Sequence, residues 1–282
     1  MKKRNLVVYV MISCLASGFL LPGCDKKKQN DSERVKTIKV EEKAHLQDDT
    51  ISPACKMTID YSYLVESAAT DTVAQRINEA VQANTLGKEY ASMPPTAAVD
   101  SFKNDYISNY RKLTSEFYAN DLKNGTPPDE LPSWYNYEYS LTTHFSNGKE
   151  GILNVTAEIF EYTGGAHPNT WDKWMNFEKN TGKLLTLKDV FMDGAEKPIN
   201  EMLMKQLIAD MAKRLEDEQI KTLQDLQKAG VLLSTDIYMP ENFLLKKEEV
   251  SFLYNRYDIA PYSVGAIILS LPYTSVGKYM LH

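Results

Sequence analysis

The chain has 282 residues, and its 43% hydrophobic and 10% aromatic content is ordinary for a globular protein that buries a sizeable core. Its formal net charge of −6 at pH 7 provides no broad basic face, which excludes nucleic acid as a partner. Three cysteines cannot build a disulfide framework, so the fold must depend on core packing.

The first 23 residues have the layout of a bacterial lipoprotein signal peptide. Residues 2–4 are basic, residues 6–21 form an apolar run shorter than a membrane span requires, and a small residue precedes Cys24. This resemblance to a lipobox implies cleavage before Cys24 and lipidation of its thiol, and an uncleaved signal anchor is the alternative. The mature protein would then be attached to a membrane of the bacterial cell envelope, and the lysines after Cys24 favour a periplasm-facing location.

Residues 24–55 are polar, carry charges of both signs and contain few large apolar groups. Such a segment cannot bury enough apolar surface to offset the entropy of ordering, so we predict a flexible tether. The three lysines at 26–28 are either simply solvated or in contact with anionic headgroups. Cys55 at its end is interpreted as a small buried residue and not as a nucleophile.

The folded part begins with alternating apolar residues at 57–63, which predict a strand. A helix is predicted at 70–83. A longer helix follows Pro95, and its apolar and aromatic stripe over 99–117 is interpreted as core packing. Alternation then resumes around an Asn-Gly pair at 147–148, which predicts a β-hairpin of strands 135–145 and 153–159.

The second half repeats this mixture of strands and helices. Its predicted elements are strands at 171–177, 242–245, 250–254 and 264–271, a short strand and turn at 184–191, and helices at 198–215 and 216–228. Runs of antiparallel strands with helices between them indicate an α+β fold. We predict antiparallel sheets with packed helices, in two intertwined or adjacent subdomains at residues 56–165 and 166–282.

A glycine-bearing turn between two predicted strands is the first candidate binding site. Gly164 and Gly165 allow a positive φ or a close approach, and Pro168 forces an extended exit that holds His167 in one place. Asn169 completes this candidate site. The alternative is that the turn only reverses the chain.

The segment from Tyr257 to Tyr262 is the second candidate. Tyrosine rings offer rigid apolar faces with a polar tip, which suit stacking on sugars or anchoring a protein partner. The alternative is that Tyr257, Asp258 and Tyr262 form an internal hydrogen-bonded corner. If the two candidates bind one ligand, they must lie close together in the fold.

The sequence contains no arrangement typical of a catalytic or metal centre. None of the four histidines is paired with another ligand type at a metal-binding spacing, and neither a Gly-x-Ser-x-Gly elbow nor a P-loop or dinucleotide fingerprint is present. We therefore predict no catalytic residue, no metal and no cofactor. A hydrolase that uses Glu158 or Glu161 near His167 stays open as an alternative.

Two motifs resemble a known domain pair. One half is YTGGAHPN at 162–169, with TGK at 181–183 and LTLKDVF at 185–191; the other is VSFLY at 250–254 with YDIAPYSVG at 257–265. Together they resemble the extracytoplasmic region of RsiV-type anti-sigma factors, which sense lysozyme, and the non-catalytic N-terminal region of PdaC-type peptidoglycan deacetylases. The resemblance covers about residues 57–276 and implies a subdomain like the deacetylase N-terminal region followed by one like the RsiV C-terminal region.

The resemblance also implies a class of partner. It favours a lipid-anchored, non-catalytic envelope module that binds a cell-wall glycan, such as a peptidoglycan fragment, or a lysozyme-like protein. Neither the regulatory segment of the anti-sigma factors nor the deacetylase domain is expected in this sequence. A cell-wall-active hydrolase or deacetylase is the first alternative. A structural or regulatory envelope subunit is the second, and an exposed apolar patch on the strand at 135–145 would favour it.

Overall fold

The computed structural model describes residues 34–47, 49–68, 70–127 and 130–281. The strands are β1 (Val35–His45), β2 (Ala54–Leu64), β3 (Tyr137–Asn147), β4 (Ile152–Tyr162), β5 (Asn169–Glu178), β6 (Leu184–Leu185), β7 (Phe243–Leu245), β8 (Glu249–Tyr254) and β9 (Ile267–Pro272). The helices are α1 (Thr72–Thr85), α2 (Pro95–Lys123), α3 (Leu187–Val190), α4 (Glu196–Arg214), α5 (Leu223–Lys228) and α6 (Tyr273–Val276). The predicted signal peptide and the lipidation of Cys24 fall outside the described residues.

Six strands form the first sheet in the order β1-β2-β3-β4-β5-β6. The period-two pattern of β2 buries Met57, Ile59 and Tyr61 on one face, as the alternation in the sequence predicts. Strands β2 and β3 run parallel, and a parallel pair needs a long crossover, which α1 and α2 supply. The other pairs in the sheet are antiparallel.

Helices α1 and α2 cover the apolar face of this sheet. Asp71 caps α1 by accepting from the Ala74 N–H at 3.2 Å, and it also forms an ion pair with Arg34. Ile77 and Val81 then lie one turn apart on the face that packs on the sheet. The predicted helices and the Asn147-Gly148 hairpin are confirmed.

The second sheet is smaller and has the order β7-β8-β9, with antiparallel pairs throughout. Helix α4 packs on it through Ile199, Leu203, Leu207 and Met211, which recur every four residues and are all buried. Together with the confirmed hairpins, this arrangement establishes the predicted α+β class. The helix predicted at 216–228 is shorter than expected, because α5 begins only after its Thr222 cap.

Asparagine side chains join the two sheets. Asn176 of β5 donates to the Phe243 carbonyl oxygen at 2.8 Å and accepts from the Leu245 N–H at 2.7 Å, and Asn154 of β4 donates to the Leu245 carbonyl oxygen at 3.2 Å. From the other side, Asn242 accepts from the Trp174 N–H at 2.6 Å. The amides thus satisfy backbone groups at the facing edges of β5 and β7, where no strand partner lies.

The tether prediction is wrong for part of its range. Residues 35–45 form β1, which pairs in register with β2 over its whole length. Its charged side chains at 39, 41 and 43 are exposed while 38, 40 and 42 are half-buried, so composition concealed the alternation of a charged edge strand. The backbone pairing of β1 with β2 offsets the entropy cost of ordering these residues, which was the basis for predicting a flexible tether.

The predicted subdomain boundary between residues 165 and 166 also needs correction. It falls between β4 and β5, which are neighbours in one sheet, and that sheet continues to Leu185. The hairpin-like β4–β5 pairing carries the chain past the expected division. Within the described part of the chain, no helix combines the length and apolar character of a membrane span.

The asparagine links predict a measurable loss of stability. Asn176→Ala leaves the Phe243 carbonyl and the Leu245 N–H buried without these partners, so the free energy of unfolding should fall by about 2–4 kcal/mol, as expected for two orphaned groups. Urea denaturation measures this loss. The control Asn104→Ala, at an exposed position of α2, should change stability by less than about 0.5 kcal/mol. Equal stability of the two variants would contradict a linking role for Asn176.

Candidate functional site

The glycine-bearing turn connects β4 to β5 in the first sheet. Gly164 has φ +93° and Gly165 has φ +102°, both in the region that side chains rarely adopt. The Tyr162 hydroxyl donates to the Gly165 carbonyl oxygen at 3.1 Å, which closes the turn. A Cβ atom at Gly164 would lie 2.8 Å from the Trp134 Cβ, so this glycine also permits close packing.

The second candidate segment follows β8. Tyr257 itself has φ +70°, and its N–H donates to the Ala260 carbonyl oxygen at 3.1 Å. The Asp258 carboxylate accepts from the Asn255 N–H at 2.7 Å, which stabilises the loop from within. Asp258 therefore has the internal role that the corner interpretation assigned to it, whereas the Tyr257 side chain is 51% exposed.

The two segments meet at His167, although 90 residues separate it from Tyr257 in the chain. The Tyr257 hydroxyl lies 3.0 Å from His167 Nε2, and the His167 ring stacks on the Tyr262 ring at 4.0 Å with an interplanar angle of 18°. His167 Nδ1 contacts the Pro168 carbonyl oxygen at 3.1 Å. Because a carbonyl only accepts, Nδ1 carries the proton, and in the neutral ring Nε2 accepts from Tyr257. We call His167, Tyr257 and Tyr262 the aromatic cluster.

Backbone docking at Asp172 brings these segments together. The Asn255 side chain accepts from the Asp172 N–H at 2.8 Å and donates to the Asp172 carbonyl oxygen at 3.1 Å. Asn242 donates to the same carbonyl oxygen at 2.8 Å. The loop after β8 is therefore fastened to β5 a few residues beyond the turn that carries His167.

Charged groups lie beside the aromatic cluster. The Arg256 guanidinium carbon is 5.2 Å from the centroid of the Tyr262 ring, a cation–π distance. Asp172 and Glu158 are partners in the β4–β5 register. Burial raises the pKa of the Asp172 carboxyl, the charge of Glu158 raises it further, and Arg256 partly offsets both effects.

A groove lies on the other side of the turn. It has a volume of about 500 Å³, and Gly164 and Gly165 line it together with Leu113, Phe117 and Trp134. Leu113, Phe117 and Trp134 are 59%, 67% and 54% exposed. The prediction that the whole stripe of α2 is core is therefore wrong for Leu113 and Phe117. In this half of the helix, the buried aromatic residues are Tyr110 and Tyr118, which pack in the cluster that contains Tyr135.

The structure brings most of the predicted site residues together. Asn169 is exposed at the start of β5, beside the turn. Arg256 was missed because its place beside the cluster depends on its contact with the Tyr262 ring. Trp134 and Phe117 line the neighbouring groove and not the cluster, and they were missed because they meet the turn only in the fold. The sequence of α2 gave no signal of this groove, because Leu113 and Phe117 keep the spacing of core residues on a helix.

The environments of two histidines and of Cys55 are defined by their contacts and burial. His45 Nδ1 contacts the Ser52 carbonyl oxygen at 2.6 Å, and His167 has the partners given above, so neither of these rings is placed on a serine hydroxyl. Among the described residues, no group of three or more metal-ligating side chains is placed to hold an ion. Cys55 is buried as predicted, and burial raises the pKa of its thiol to about 12.

Comparison with known proteins places this α+β chain near a family without an assigned role. Residues 188–274 match the family described as "Protein of unknown function (DUF3298)". A DUF3298 family member from Bacteroides fragilis has a crystal structure with a TM-score of 0.78 and 29% identity, covering 88% of this chain and 93% of that one. The structure of a DUF3298 family protein from Pseudomonas aeruginosa has a TM-score of 0.58 and 17% identity, over 88% and 94% of the two chains, and shows the fold alone.

A sequence relative carries a different description. A protein of Mycobacterium tuberculosis named "Esterase Rv3036c" is 24% identical over 204 residues, which cover 70% of this chain and 83% of that protein. The DUF3298 match and the fold thus agree, whereas the word esterase describes only that relative.

The two glycines of the turn offer a matched pair of substitutions. Both Gly164→Ala and Gly165→Ala place a side chain at positive φ, at a cost of about 1–3 kcal/mol. Only Gly164→Ala also meets Trp134, whereas nothing lies within 4 Å of a Cβ at Gly165. Urea denaturation should therefore show a larger loss for Gly164→Ala, by about 1 kcal/mol or more. Equal losses of stability would mean that Trp134 moves away from the new Cβ at no energetic cost.

Proposed function

We propose that this chain is a non-catalytic binding module of the bacterial cell envelope, attached to a membrane through a lipid on Cys24. Its partner is a cell-wall glycan or a lysozyme-like protein, which the resemblance of the two motifs to the RsiV and PdaC domain pair favours. The observation that carries the proposal is the aromatic cluster. It joins both motifs in one place and leaves the Tyr257 ring half exposed to a partner.

The geometry of the cluster supports binding over catalysis. Stacking of His167 on Tyr262 and the hydrogen bond from Tyr257 hold the three rings in fixed positions before a partner arrives. Preorganised aromatic side chains lose little entropy on binding and are common anchors of interfaces. The His167 nitrogens are engaged with a tyrosine and a carbonyl, and this is an arrangement for rigidity.

The second alternative, a structural or regulatory subunit, depended on an exposed apolar patch on the strand at 135–145. Tyr135, Tyr139 and Leu141 are buried instead, and Tyr137 and Phe145 are half-buried. The condition that would have favoured this alternative is not met, and we do not pursue it.

Binding should be lost with the aromatic cluster. In pull-downs with immobilised muropeptides and with lysozyme, we expect Tyr257→Ala and His167→Ala to reduce retention about tenfold, the effect of removing a modest anchor worth ~1.4 kcal/mol. Phe117→Ala is the matched control, because its ring is exposed in the groove and outside the cluster. Retention of neither probe by the wild-type protein would overturn the proposal, and an effect of Phe117→Ala alone would move the site to the groove.

A hydrolase is the second candidate, and the name of the mycobacterial relative is the observation that favours it. A serine esterase needs a hydroxyl within hydrogen-bond reach of a general base. His45 and His167 have other partners. We therefore expect the wild-type protein to hydrolyse p-nitrophenyl butyrate no faster than the His167→Ala variant does. We also expect it to release acetate from N-acetylated glycan no faster than that variant. Turnover by the wild-type protein that this substitution abolishes would replace the binding proposal by a hydrolase with His167 at its centre.

A further inference from the structure

A pair of carboxylates lies on the exposed face of the first sheet, beside the aromatic cluster. Glu158 and Asp172 are opposite each other on β4 and β5. The N–H and C=O of Asp172 both bond to the Asn255 side chain and thus point away from β4. The two residues therefore form a non-hydrogen-bonded pair, the kind whose Cα atoms are only about 4.5 Å apart and whose side chains approach most closely.

Two like charges in directly opposite positions are unfavourable in a sheet. Asp172 is half-buried, and the raised pKa of its carboxyl reflects both this burial and the charge of Glu158. The hydrogen bonds that dock the second sheet use the backbone of Asp172, so they do not require a carboxylate at this position. The fold therefore gains nothing evident from the repulsion.

The nearby charges leave this region negative. Arg256 is the cation that acts on Asp172, and it lies over the Tyr262 ring. Asp258 adds a third carboxylate in the adjoining loop, where it accepts from the Asn255 N–H. Three carboxylates against one guanidinium create a negative potential that favours an approaching cation.

Aromatic rings flank the pair on the same face. Phe160 and Trp174 are each two residues along their strands from Glu158 and Asp172, so they project from the same side of the sheet and are half-buried. The Arg256 guanidinium lies over the Tyr262 ring, and the Tyr257 ring lies 6.0 Å from that of Tyr262. Carboxylates combined with aromatic faces suit an ammonium or guanidinium group, and the contact of Arg256 with Tyr262 is an intramolecular example of this chemistry.

We infer that Glu158 and Asp172 form a subsite for a cationic side chain, the lysine or arginine of a basic protein partner that also contacts the aromatic cluster. The inference rests on the proposed function, since it assigns a partner class to the same site. It favours a protein over a neutral N-acetylated glycan, because such a glycan has no cation to offset the repulsion between the carboxylates.

The test uses a tetralysine amide as the probe and an Nε-acetylated tetralysine amide as the neutral control. At low ionic strength, backbone amide chemical shifts around residues 158 and 172 should move with the cationic peptide and stay unchanged with the acetylated one. Glu158→Gln and Asp172→Asn should each weaken the response about threefold to fivefold, the effect of removing an exposed ion pair. Added salt should reduce it as well.

The control substitution is Glu41→Gln. Glu41 is exposed on β1, on the same sheet face and three strands from β4, at about 14 Å. We expect it to leave the response to the peptide unchanged. An equal loss for Glu41→Gln would show general attraction to an acidic surface and would overturn the subsite, as would shifts with the acetylated peptide of the same size.

A stability measurement separates folding from binding. Because the pKa of Asp172 is raised in the folded protein, its ionisation costs stability as pH rises above the unfolded carboxyl range. Asp172→Asn should therefore unfold at equal or higher urea concentration than wild type at pH 7, and this advantage should vanish below about pH 4. A loss of stability in this variant would mean that the carboxylate serves the fold and would overturn the inference.

The outcomes also distinguish the inference from the proposed function. Lysozyme retention without a tetralysine response would preserve the binding module and overturn the cationic subsite. A response to tetralysine that depends on Glu158 and Asp172, with retention of neither lysozyme nor muropeptides, would support the subsite while overturning the proposed partners. Retention of muropeptides alone, with no tetralysine response, would favour a glycan and overturn the protein-directed inference.

Discussion

The structure depends above all on asparagine amides that act as substitutes for strand neighbours. Asn176 and Asn154 reach from the first sheet to the backbone of β7, and Asn242 and Asn255 reach back to the backbone of β5. Backbone groups at a buried sheet edge must be paired, and a primary amide offers both a donor and an acceptor. The two sheets are therefore joined by side-chain amides at edges that do not pair strand to strand.

The same links determine the candidate site. Asn255 lies one residue from Arg256 and two from Tyr257, so fastening its side chain to Asp172 also places the loop that carries the tyrosine. His167 arrives from the other side, at the end of the turn before β5. The site is thus a consequence of sheet docking, and its three rings are held by contacts between elements that belong to different sheets.

This surface combines rigid rings with carboxylates whose side chains do not dock the two sheets. The aromatic cluster, the carboxylates at 158 and 172 and the groove beyond Gly164 surround a single turn. Such a collection is typical of a recognition surface, where anchors are preorganised and the surrounding charge selects the partner. His167 contacts residues from both motifs, so it is the residue whose substitution tests this surface most directly.

Local patterns in the sequence determined most of the elements. The alternation at 57–63, the Asn147-Gly148 turn and the stripe of α4 each express a backbone period that neighbouring residues set by themselves. The same reasoning failed for β1, whose charged composition conceals an edge strand, and for Leu113 and Phe117, which keep a helical spacing but do not join the core. In both cases burial depends on what lies opposite, and the local pattern contains no information on that.

The sequence alone thus determined the α+β class, the turn at Gly164 and the two motifs as candidate binding segments. Only the tertiary structure decided that they form one site, because the contact of His167 with Tyr257 joins residues 90 positions apart. It also decided the pairing of Glu158 with Asp172, since strand register depends on the length and geometry of the turn between the strands as well as on residue type. The physical reason is the same in both cases. Residue spacing along the chain specifies local conformation, whereas the proximity of residues in different strands and sheets depends on which partners pair with the backbone N–H and C=O groups at the strand edges.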